Sequence, residues 1–231
     1  MSSRDVLFSI RGLNFRFANS SPLFVNAGVD IGYNETVRIS GPNGCGKTTL
    51  MKILAGAIDR EVQYHAEWHS QPVSSIADVR QRISFAIDTP QLFQELSCNE
   101  NIEVMRLLWR LDVAYRDQVI SLCTSMGMDV DMLNRPVKSC SLGTQHKLFL
   151  SLVLARPAEL YLLDEPLNTL DQSSRRFIAQ RIIEDRTHSY VVVSHVLHSG
   201  FDFDRTIDIR DIAGVSSERQ DPPGNENVTS G

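Results

Sequence analysis

The stretch Gly41-Pro42-Asn43-Gly44-Cys45-Gly46-Lys47-Thr48-Thr49 decides the fold of this chain. It fits the pattern G-x-x-x-x-G-K-[ST], in which backbone N–H groups cradle the phosphates of a nucleotide. In this pattern the lysine reaches the β- and γ-phosphates, and the hydroxyl of Thr48 ligates Mg²⁺. The glycines are needed because side chains would hold the backbone away from the anion. The stretch therefore predicts a phosphate-binding loop.

The residues on either side of this loop support that prediction. Residues 36–40 form a short apolar pattern typical of a strand, and residues 48–55 have helical apolar spacing. Gly56 stands where such a helix would end. The N-terminus of this helix would add partial positive charge at the phosphates. The alternative is a glycine-rich turn between two core elements, without a ligand.

The composition is that of a globular protein. The 231 residues carry a formal net charge of −5, with 42% hydrophobic and 22% charged residues. At this length we expect one large domain, or a domain with an inserted lobe. The acidic balance argues against a protein that coats nucleic acid. No apolar run approaches the roughly 20 residues that span a bilayer, and the N-terminus lacks the apolar core of a signal peptide. We therefore expect a cytoplasmic protein.

The four cysteines are expected to be reduced thiols. They show neither a C-x-x-C pair nor any other metal-ligand spacing. Cys45 differs from the other three because it lies inside the phosphate-binding loop. A bound nucleotide should therefore protect Cys45 from a thiol reagent. The remaining three are Cys98, Cys123 and Cys140.

Strands and helices are predicted along most of the chain. The first 40 residues show alternating patterns that are typical of strands, separated by Gly12 and a polar turn at residues 18–22. Predicted strands, besides residues 36–40, are residues 7–10, 13–17, 29–31, 67–69, 83–87, 160–163, 190–193 and 206–209. Predicted helices, besides the one after the loop, are residues 99–109, 115–126, 141–154 and 177–186.

This order of elements predicts an α/β fold. Strands that alternate with helices form a largely parallel sheet, so we expect a P-loop NTPase core with such a sheet. An N-terminal antiparallel β-subdomain would precede it, and a helical lobe at about residues 89–155 would be inserted in it. We expect one domain over residues 1–215. Residues 216–231 are polar and contain Pro222-Pro223-Gly224, which is typical of a disordered tail.

A second motif supplies the carboxylates that a phosphate-binding loop requires. The run Leu160-Tyr161-Leu162-Leu163-Asp164-Glu165-Pro166 predicts a buried strand with Asp164 at its carboxyl end, where ligands of α/β proteins bind. Asp164 is positioned to hold Mg²⁺, directly or through water. Glu165 is then the candidate general base toward an attacking water. The alternative is an acidic turn after a core strand.

With these motifs in this order, the chain resembles the nucleotide-binding subunit of an ATP-binding cassette (ABC) transporter over roughly residues 5–210. The resemblance implies ATP and Mg²⁺ as cofactors. Phe17 matches the aromatic residue that stacks on adenine, and Asp164 and Glu165 match the Walker B aspartate and the catalytic glutamate. His195 matches the switch histidine that contacts the γ-phosphate. Lys47 is implied to be catalytic. The ATP-binding loop comprises Gly41, Pro42, Asn43, Gly44, Cys45, Gly46, Lys47, Thr48 and Thr49.

The resemblance also implies a second ATPase subunit. The segment Cys140-Ser141-Leu142-Gly143-Thr144-Gln145 resembles the signature L-S-G-G-Q and retains Ser141 and Gly143. Exporter-type members often have S-L-G here. Ser141 would cap a helix whose N-terminus faces the γ-phosphate of ATP bound to the other subunit. Two ATP molecules would thus be shared across a homo- or heterodimer. Residues 167–171 match the D-loop of the family.

One position departs from the family pattern. Counted back from Pro90, the Q-loop glutamine corresponds to Asp88. In the family this residue contacts Mg²⁺ and the lytic water and couples to the membrane partner. Asp88 is therefore a third candidate Mg²⁺ ligand, with Thr48 and Asp164. An extra carboxylate beside Asp164 and Glu165 would repel both of them. Gln91 is the alternative candidate for the role of the Q-loop glutamine.

The resemblance implies an ATP-hydrolysing subunit that powers a transporter, with export as the expected direction. An integral-membrane permease would dock near the Asp88 loop and the helical lobe, which places the chain at the cytoplasmic face of the membrane.

Two alternatives remain open. A soluble ABC ATPase acting on DNA or ribosomes usually carries coiled-coil insertions, zinc cysteines or two cassettes, and none is visible here. An ATP-binding module with weak hydrolysis would explain the departures at Asp88 and in the signature.

Overall fold

A computed structural model describes residues 5–194 and 202–213. The N-terminal part contains a four-stranded antiparallel sheet with strand order β2-β1-β4-β5. Neighbouring strands of this sheet are antiparallel, and the pairing of β1 with β4 joins segments that are distant in sequence. Its strands are β1 (Val6–Phe15), β2 (Phe24–Gly32), β4 (Gln63–Trp68) and β5 (Gln71–Val73).

A second sheet of five parallel strands forms the centre of the molecule. Its order is β6-β7-β8-β3-β9, so strands that are distant in sequence become neighbours. Because the strands are parallel, their carboxyl ends meet at one edge, where ligands of open α/β sheets bind. These strands are β3 (Thr36–Ser40), β6 (Ile83–Ala86), β7 (Leu160–Asp164), β8 (Ser189–Val193) and β9 (Arg205–Asp208).

Helices connect and cover this parallel sheet. The first follows the phosphate-binding loop, the next three belong to the segment predicted as a lobe, and short 3₁₀ turns lie between them. None of the helices in the described part of the chain is long and apolar enough to cross a membrane. The helices are α1 (Lys47–Leu54), α2 (Cys98–Leu108), α3 (Ala114–Ser125), α4 (Leu142–Ala155), α5 (Gln172–Glu184) and α6 (Ile209–Ala213).

The parallel sheet is buried on both faces. Alternate residues of β7 belong to two different apolar cores, because successive side chains of a strand point to opposite sides. Leu160 and Leu162 pack with α1 and the antiparallel sheet. Tyr161 and Leu163 pack with the lobe helices. This double burial explains the continuous apolar run of β7 and leaves Asp164 at the end of a rigid strand.

The predicted fold class is confirmed, and several element boundaries were wrong. Gly12 does not separate two strands, because β1 continues through it as one strand with a register irregularity between Ile10 and Leu13. Gly12 has φ 60, so it forms a bulge instead of a turn. Helix α5 begins at Gln172 rather than at residue 177, because Asp171 caps its N-terminus. Two short elements, β5 and α6, were not predicted.

Candidate nucleotide-binding site

The loop between β3 and α1 has the backbone that its glycines allow. Gly41, Gly44 and Gly46 have φ values of 140, 76 and 103, which other residues rarely adopt. A Cβ on Gly41 would lie 2.5 Å from Cγ2 of Ile209, so a side chain is excluded there. A Cβ on Gly44 would meet nothing within 4 Å. The backbone at Gly44 is therefore open to a ligand from outside the loop.

Lys47 is the first residue of α1 and is only 8% exposed. Its Nζ donates hydrogen bonds of 2.8 Å to the carbonyl oxygens of Gly41 and Pro42. The ammonium is thus fixed against the loop before any ligand arrives. Hydrogen bonds between ionised partners are stronger than those to neutral carbonyls, so a phosphate would compete effectively for this lysine.

An open cleft of about 490 Å³ lies against the loop. Asp164 and Glu165 contribute to its floor, and Phe17 lies on its wall. Phe17 is 50% exposed, and its ring meets that of Phe15 edge-on at a centroid distance of 4.9 Å. One exposed aromatic face at a cleft wall suits stacking on a planar base. From the loop itself, the cleft is lined by Asn43, Gly44, Gly46, Lys47, Thr48 and Thr49.

Asp164 is the most unusual group of the cleft. It is 1% exposed, and neither carboxylate oxygen accepts a hydrogen bond from any residue the structure describes. Burial raises the pKa of Asp164. The Thr48 hydroxyl lies nearby and partly lowers this pKa, although it is not placed for a well-formed hydrogen bond. The charges of Asp88 and Glu165 raise the pKa further. A buried carboxylate without a partner is costly unless a cation binds it.

These residues fit a magnesium ion. Within residues 5–194 and 202–213, no group of three or more His, Cys, Asp or Glu side chains is arranged to hold a metal ion. Magnesium commonly binds one or two carboxylates and takes its other ligands from water and substrate phosphates. The unpartnered oxygens of Asp164, beside the Thr48 hydroxyl, supply the donors that such an ion requires.

Glu165 adopts a strained backbone next to Asp164. Its φ is 51, which is uncommon for a residue other than glycine. Its N–H donates to the carbonyl of Val193 in β8 at 2.9 Å, which holds the turn after β7 against the neighbouring strand. The side chain lines the nucleotide cleft. Strained residues persist where surrounding structure fixes them, often at functional sites. His195 lies outside the described residues.

Asp88 lies in an exposed segment after β6. It is near enough to raise the pKa of Asp164, and it also acts on the pKa of the buried His146, where desolvation dominates and lowers the pKa. The carboxylate repulsion expected from the sequence is thus present at Asp164. The Gln91 amide donates to the carbonyl of Thr89 at 3.3 Å, and its side chain lines a groove other than the nucleotide cleft.

The predicted signature segment begins α4 but does not reach the cleft of the same chain. Ser141 is the N-cap of α4, and its Oγ accepts a hydrogen bond from the N–H of Thr144 at 3.2 Å. Ser141 and Leu142 are exposed, and a Cβ on Gly143 would lie 3.5 Å from the carbonyl oxygen of Thr169. None of these signature residues lines the nucleotide cleft. The helix N-terminus is therefore available to a second molecule.

Four cleft residues were missed from the sequence. Ser20, Ser21 and Leu23 lie on the wall beside Phe17, and Val193 lies beside Glu165. The Leu23 side chain would lie 3.1 Å from a Cβ built on Gly46, so it backs the loop directly. These residues come from a polar turn and from a strand end, and neither pattern signals a ligand. Only the fold brings them to the phosphate-binding loop.

Comparisons with known proteins agree with this geometry. The family model described as "ABC transporter" matches residues 24–168. The lantibiotic transport ATP-binding protein SrtF of Streptococcus pyogenes is 30% identical over 181 residues, covering 74% of this chain and 73% of that protein. The thiamine import ATP-binding protein ThiQ of Vibrio cholerae is 27% identical, and the match covers 73% of this chain and 72% of that protein. The solved structure of a dimeric ATP-binding cassette bound to ADP and phosphate is similar, with a TM-score of 0.74 and 19% sequence identity. The match covers 87% of this chain and 93% of that chain.

Proposed function

This chain belongs to the ABC transporter family of ATPases, and we propose that it hydrolyses Mg-ATP in the Lys47 cleft to drive a membrane permease. The observation that carries this proposal is the carboxylate of Asp164. It is buried, it has no hydrogen-bond partner among the described residues, and it lies beside the Thr48 hydroxyl at the end of the phosphate-binding loop. A site built for a metal–phosphate complex accounts for this otherwise costly arrangement.

In the proposed binding mode, the loop and α1 hold the phosphates of ATP. The N–H groups of the loop and the N-terminus of α1 point at the β-phosphate. Lys47 leaves the carbonyls of Gly41 and Pro42 and binds the β- and γ-phosphates. The adenine ring stacks on Phe17. Thr48, Asp164 and Asp88 hold Mg²⁺, which neutralises charge on the phosphate oxygens when it is bound.

In the proposed hydrolysis step, Glu165 is the general base. Its carboxylate takes a proton from a water that attacks the γ-phosphorus. The bond from that phosphorus to the bridging oxygen breaks, and the electron pair leaves with ADP. Lys47 stabilises the charge that develops on the transferred phosphoryl group. We assign the γ-phosphate contact expected from the family resemblance to His195.

The proposed active site is shared between two molecules. Ser141 and Gly143 lie outside the cleft of their own chain at an exposed helix N-terminus, which suits an anion bound to another subunit. Each ATP would then contact Lys47 of one molecule and Ser141 of the other. A homodimer built in this way contains two equivalent composite sites.

Mixing two inactive variants tests this arrangement. Lys47→Ala and Ser141→Arg should each be inactive, whereas the mixed dimer regains one intact site. We expect phosphate release above the sum of the separate variants. Lys47→Ala mixed with the double variant Lys47→Ala/Ser141→Arg is the control, because no pairing of those chains restores a site. A mixture that stays at the sum, with both variants folded by circular dichroism, would contradict a site shared between copies of this chain.

We further propose that the permease docks beside the Asp88 segment and the helical lobe, at the cytoplasmic face of the membrane. Export is the proposed direction, because the signature has the S-L-G form that the resemblance associates with exporter-type members. Family membership alone does not choose a direction, since a thiamine import protein is among the relatives. In inverted membrane vesicles with the copurified permease, an exporter accumulates its substrate when ATP is added, and an importer does not.

A further inference from the structure

Two buried thiols face each other where the chain enters helices α2 and α4. Cys98 is the first residue of α2, and Cys140 directly precedes Ser141, the N-cap of α4. Their sulfur atoms lie 3.9 Å apart, and the two residues are 1% and 7% exposed. Both are free thiols. A disulfide has a sulfur–sulfur distance of about 2 Å, so only a short approach separates this pair from a covalent bond.

The backbone already holds the two cysteine segments side by side. The N–H of Cys98 donates to the carbonyl of Arg135 at 3.1 Å, and the N–H of Val137 donates to the carbonyl of Leu96 at 2.9 Å. The N–H of Cys140 donates to the carbonyl of Val137 at 2.9 Å, which closes the turn between them. Because these bonds fix the backbone, closing the gap falls to side-chain rotation and small backbone shifts.

Burial determines how fast this pair can react. It raises the pKa of the Cys98 thiol, and the neighbouring Cys140 raises that pKa further. Because the thiolate is the nucleophile, the pair should oxidise more slowly than Cys45, which is partly exposed. Cys140 is the more exposed member of the pair, so an oxidant reaches its sulfur first. The pair is therefore suited to sustained oxidation and not to rapid sensing.

We propose that Cys98 and Cys140 form a reversible disulfide that inhibits ATP hydrolysis. The oxidant is hydrogen peroxide, whose O–O bond breaks as the Cys140 sulfur becomes a sulfenic acid and one water leaves. The Cys98 sulfur then attacks the Cys140 sulfur, the S–O bond breaks, and a second water leaves. The proton of each thiol departs in the water formed at that step. The thiols lose two electrons, which reduce the peroxide, and a dithiol reverses the reaction by exchange.

The disulfide acts through the residue that precedes the signature helix. Cys140 is bonded to Ser141, whose Oγ caps α4 by accepting the N–H of Thr144. The carbonyl of Cys140 also accepts a hydrogen bond from Gln145 Nε2 at 3.1 Å. A shift of Cys140 toward Cys98 therefore displaces the start of α4. This effect rests on the proposed function, which places that helix N-terminus at the γ-phosphate of a second molecule, where a displacement of about 1 Å costs roughly 100-fold in rate.

Oxidation of the full chain by hydrogen peroxide tests the proposal. The exposed thiol of the phosphate-binding loop is first removed by Cys45→Ala or Cys45→Ser, whichever has the higher turnover, and each protein is compared with its own reduced state. Free thiols are blocked before peptide mapping without reduction. We expect one peptide linked through Cys98 and Cys140, and Mg-ATP turnover at least about tenfold lower. Dithiothreitol should restore the turnover and remove the linked peptide.

Single substitutions in the same background identify the bond. Cys98→Ser and Cys140→Ala should each lose the linked peptide and keep their turnover in peroxide. Cys123→Ala is the matched control, because Cys123 is also a buried thiol, and it should be inhibited as its parent is. The proposal would be overturned by the absence of a linked peptide, by a linked peptide with unchanged turnover, or by equal inhibition of all three variants. Absence of turnover in reduced wild type would instead count against the proposed function, while the peptide map still tests the bond.

Discussion

Lys147 Nζ lies 2.7 Å from Asp171 Oδ2, which ties α4 to the start of α5. The same ammonium donates to the carbonyl of Met126 at the end of α3. Asp171 in turn caps α5 by accepting the N–H of Ser174 at 2.9 Å. The helix that begins at the signature serine is thus held to Asp171, the last residue of the segment that matches the D-loop. A displacement of α4 on dimer formation would therefore be transmitted to residues beside Glu165.

This contact predicts a specific dependence of stability on pH. Hydrogen bonds from Lys147, and then from Ser173 and Ser174, lower the pKa of Asp171 below its ordinary value. A carboxylate with a lowered folded pKa adds stability above its unfolded pKa of about 3.9, and this stability is lost as the pH falls through the folded pKa. Asp171→Asn should be less stable than wild type at neutral pH, and the difference should shrink below about pH 4.

Urea unfolding at a series of pH values measures this difference directly. Asparagine is still a good helix cap, so the variant loses the ion pair and keeps the cap. Lys147→Met should remove only part of this pH dependence, because Ser173 and Ser174 still lower the pKa of Asp171. A difference between wild type and Asp171→Asn that stays constant from neutral to acidic pH would be inconsistent with the ion pair.

Two glycines form a matched pair for the phosphate-binding loop. Gly44 and Gly127 have φ values of 76 and 74, and a Cβ on either would meet nothing within 4 Å. Alanine at either position should therefore cost similar stability, about 1 kcal/mol, through backbone strain. Only Gly44→Ala should weaken ATP binding, because its Cβ would enter the space next to the phosphates. Titration with a fluorescent ATP analogue, together with thermal unfolding, separates the two effects. Equal affinity in both variants would refute a phosphate cradle at Gly44.

Cys45 should be the thiol that reacts first in the native protein. It is partly exposed in the loop, whereas the other three cysteines are buried. Burial raises the pKa of Cys98 to about 12, with Cys140 adding to the effect, and burial raises the pKa of Cys123 to about 11. Thiols are far less reactive than thiolates. Alkylation followed by mass spectrometry should modify Cys45, and Mg-ATP should slow it. Equal labelling with and without ATP would place the nucleotide elsewhere.

Asp88→Gln should extend activity to lower pH. The Asp88 charge raises the pKa of Asp164, although burial is the larger cause. Removing that charge should lower the pKa of Asp164, so the carboxylate that binds Mg²⁺ is ionised at more acidic pH. The acidic limb of the pH–rate profile should therefore move to lower pH. Glu67→Gln removes an exposed carboxylate on β4 and is the control. A profile that moves equally in both variants would indicate a general charge effect.

The sequence predicted those features of the fold that depend on local patterns. The apolar runs in β7 and β8 are long enough to require a sheet that is buried on both faces. The phosphate-binding loop is contiguous, so its glycines and Lys47 could be assigned from spacing. Ser141 could be assigned as a cap because capping depends on neighbours in sequence.

Features that depend on distant contacts could not be predicted in this way. Arg80, Arg110 and Arg156 come from three separate segments, and only the packing of the lobe against the core places them in one groove. Leu23 backs Gly46 through a contact that no periodicity encodes. Glu165 combines a left-handed backbone with a hydrogen bond from its N–H to Val193 in another strand, and no local pattern signals that contact. In each case tertiary structure, rather than local propensity, sets the position of the side chain.

Phosphate release by wild type and Glu165→Gln in Mg-ATP tests the central claim most directly. The substitution keeps the size of the side chain and removes the base. The proposed mechanism predicts turnover in wild type that falls by at least about 100-fold in the variant, with ATP still bound. Arg176→Glu, on the exposed face of α5, should retain turnover. Wild-type turnover that survives unchanged in Glu165→Gln would contradict the assignment of this residue as the general base and of this cleft as the site of hydrolysis.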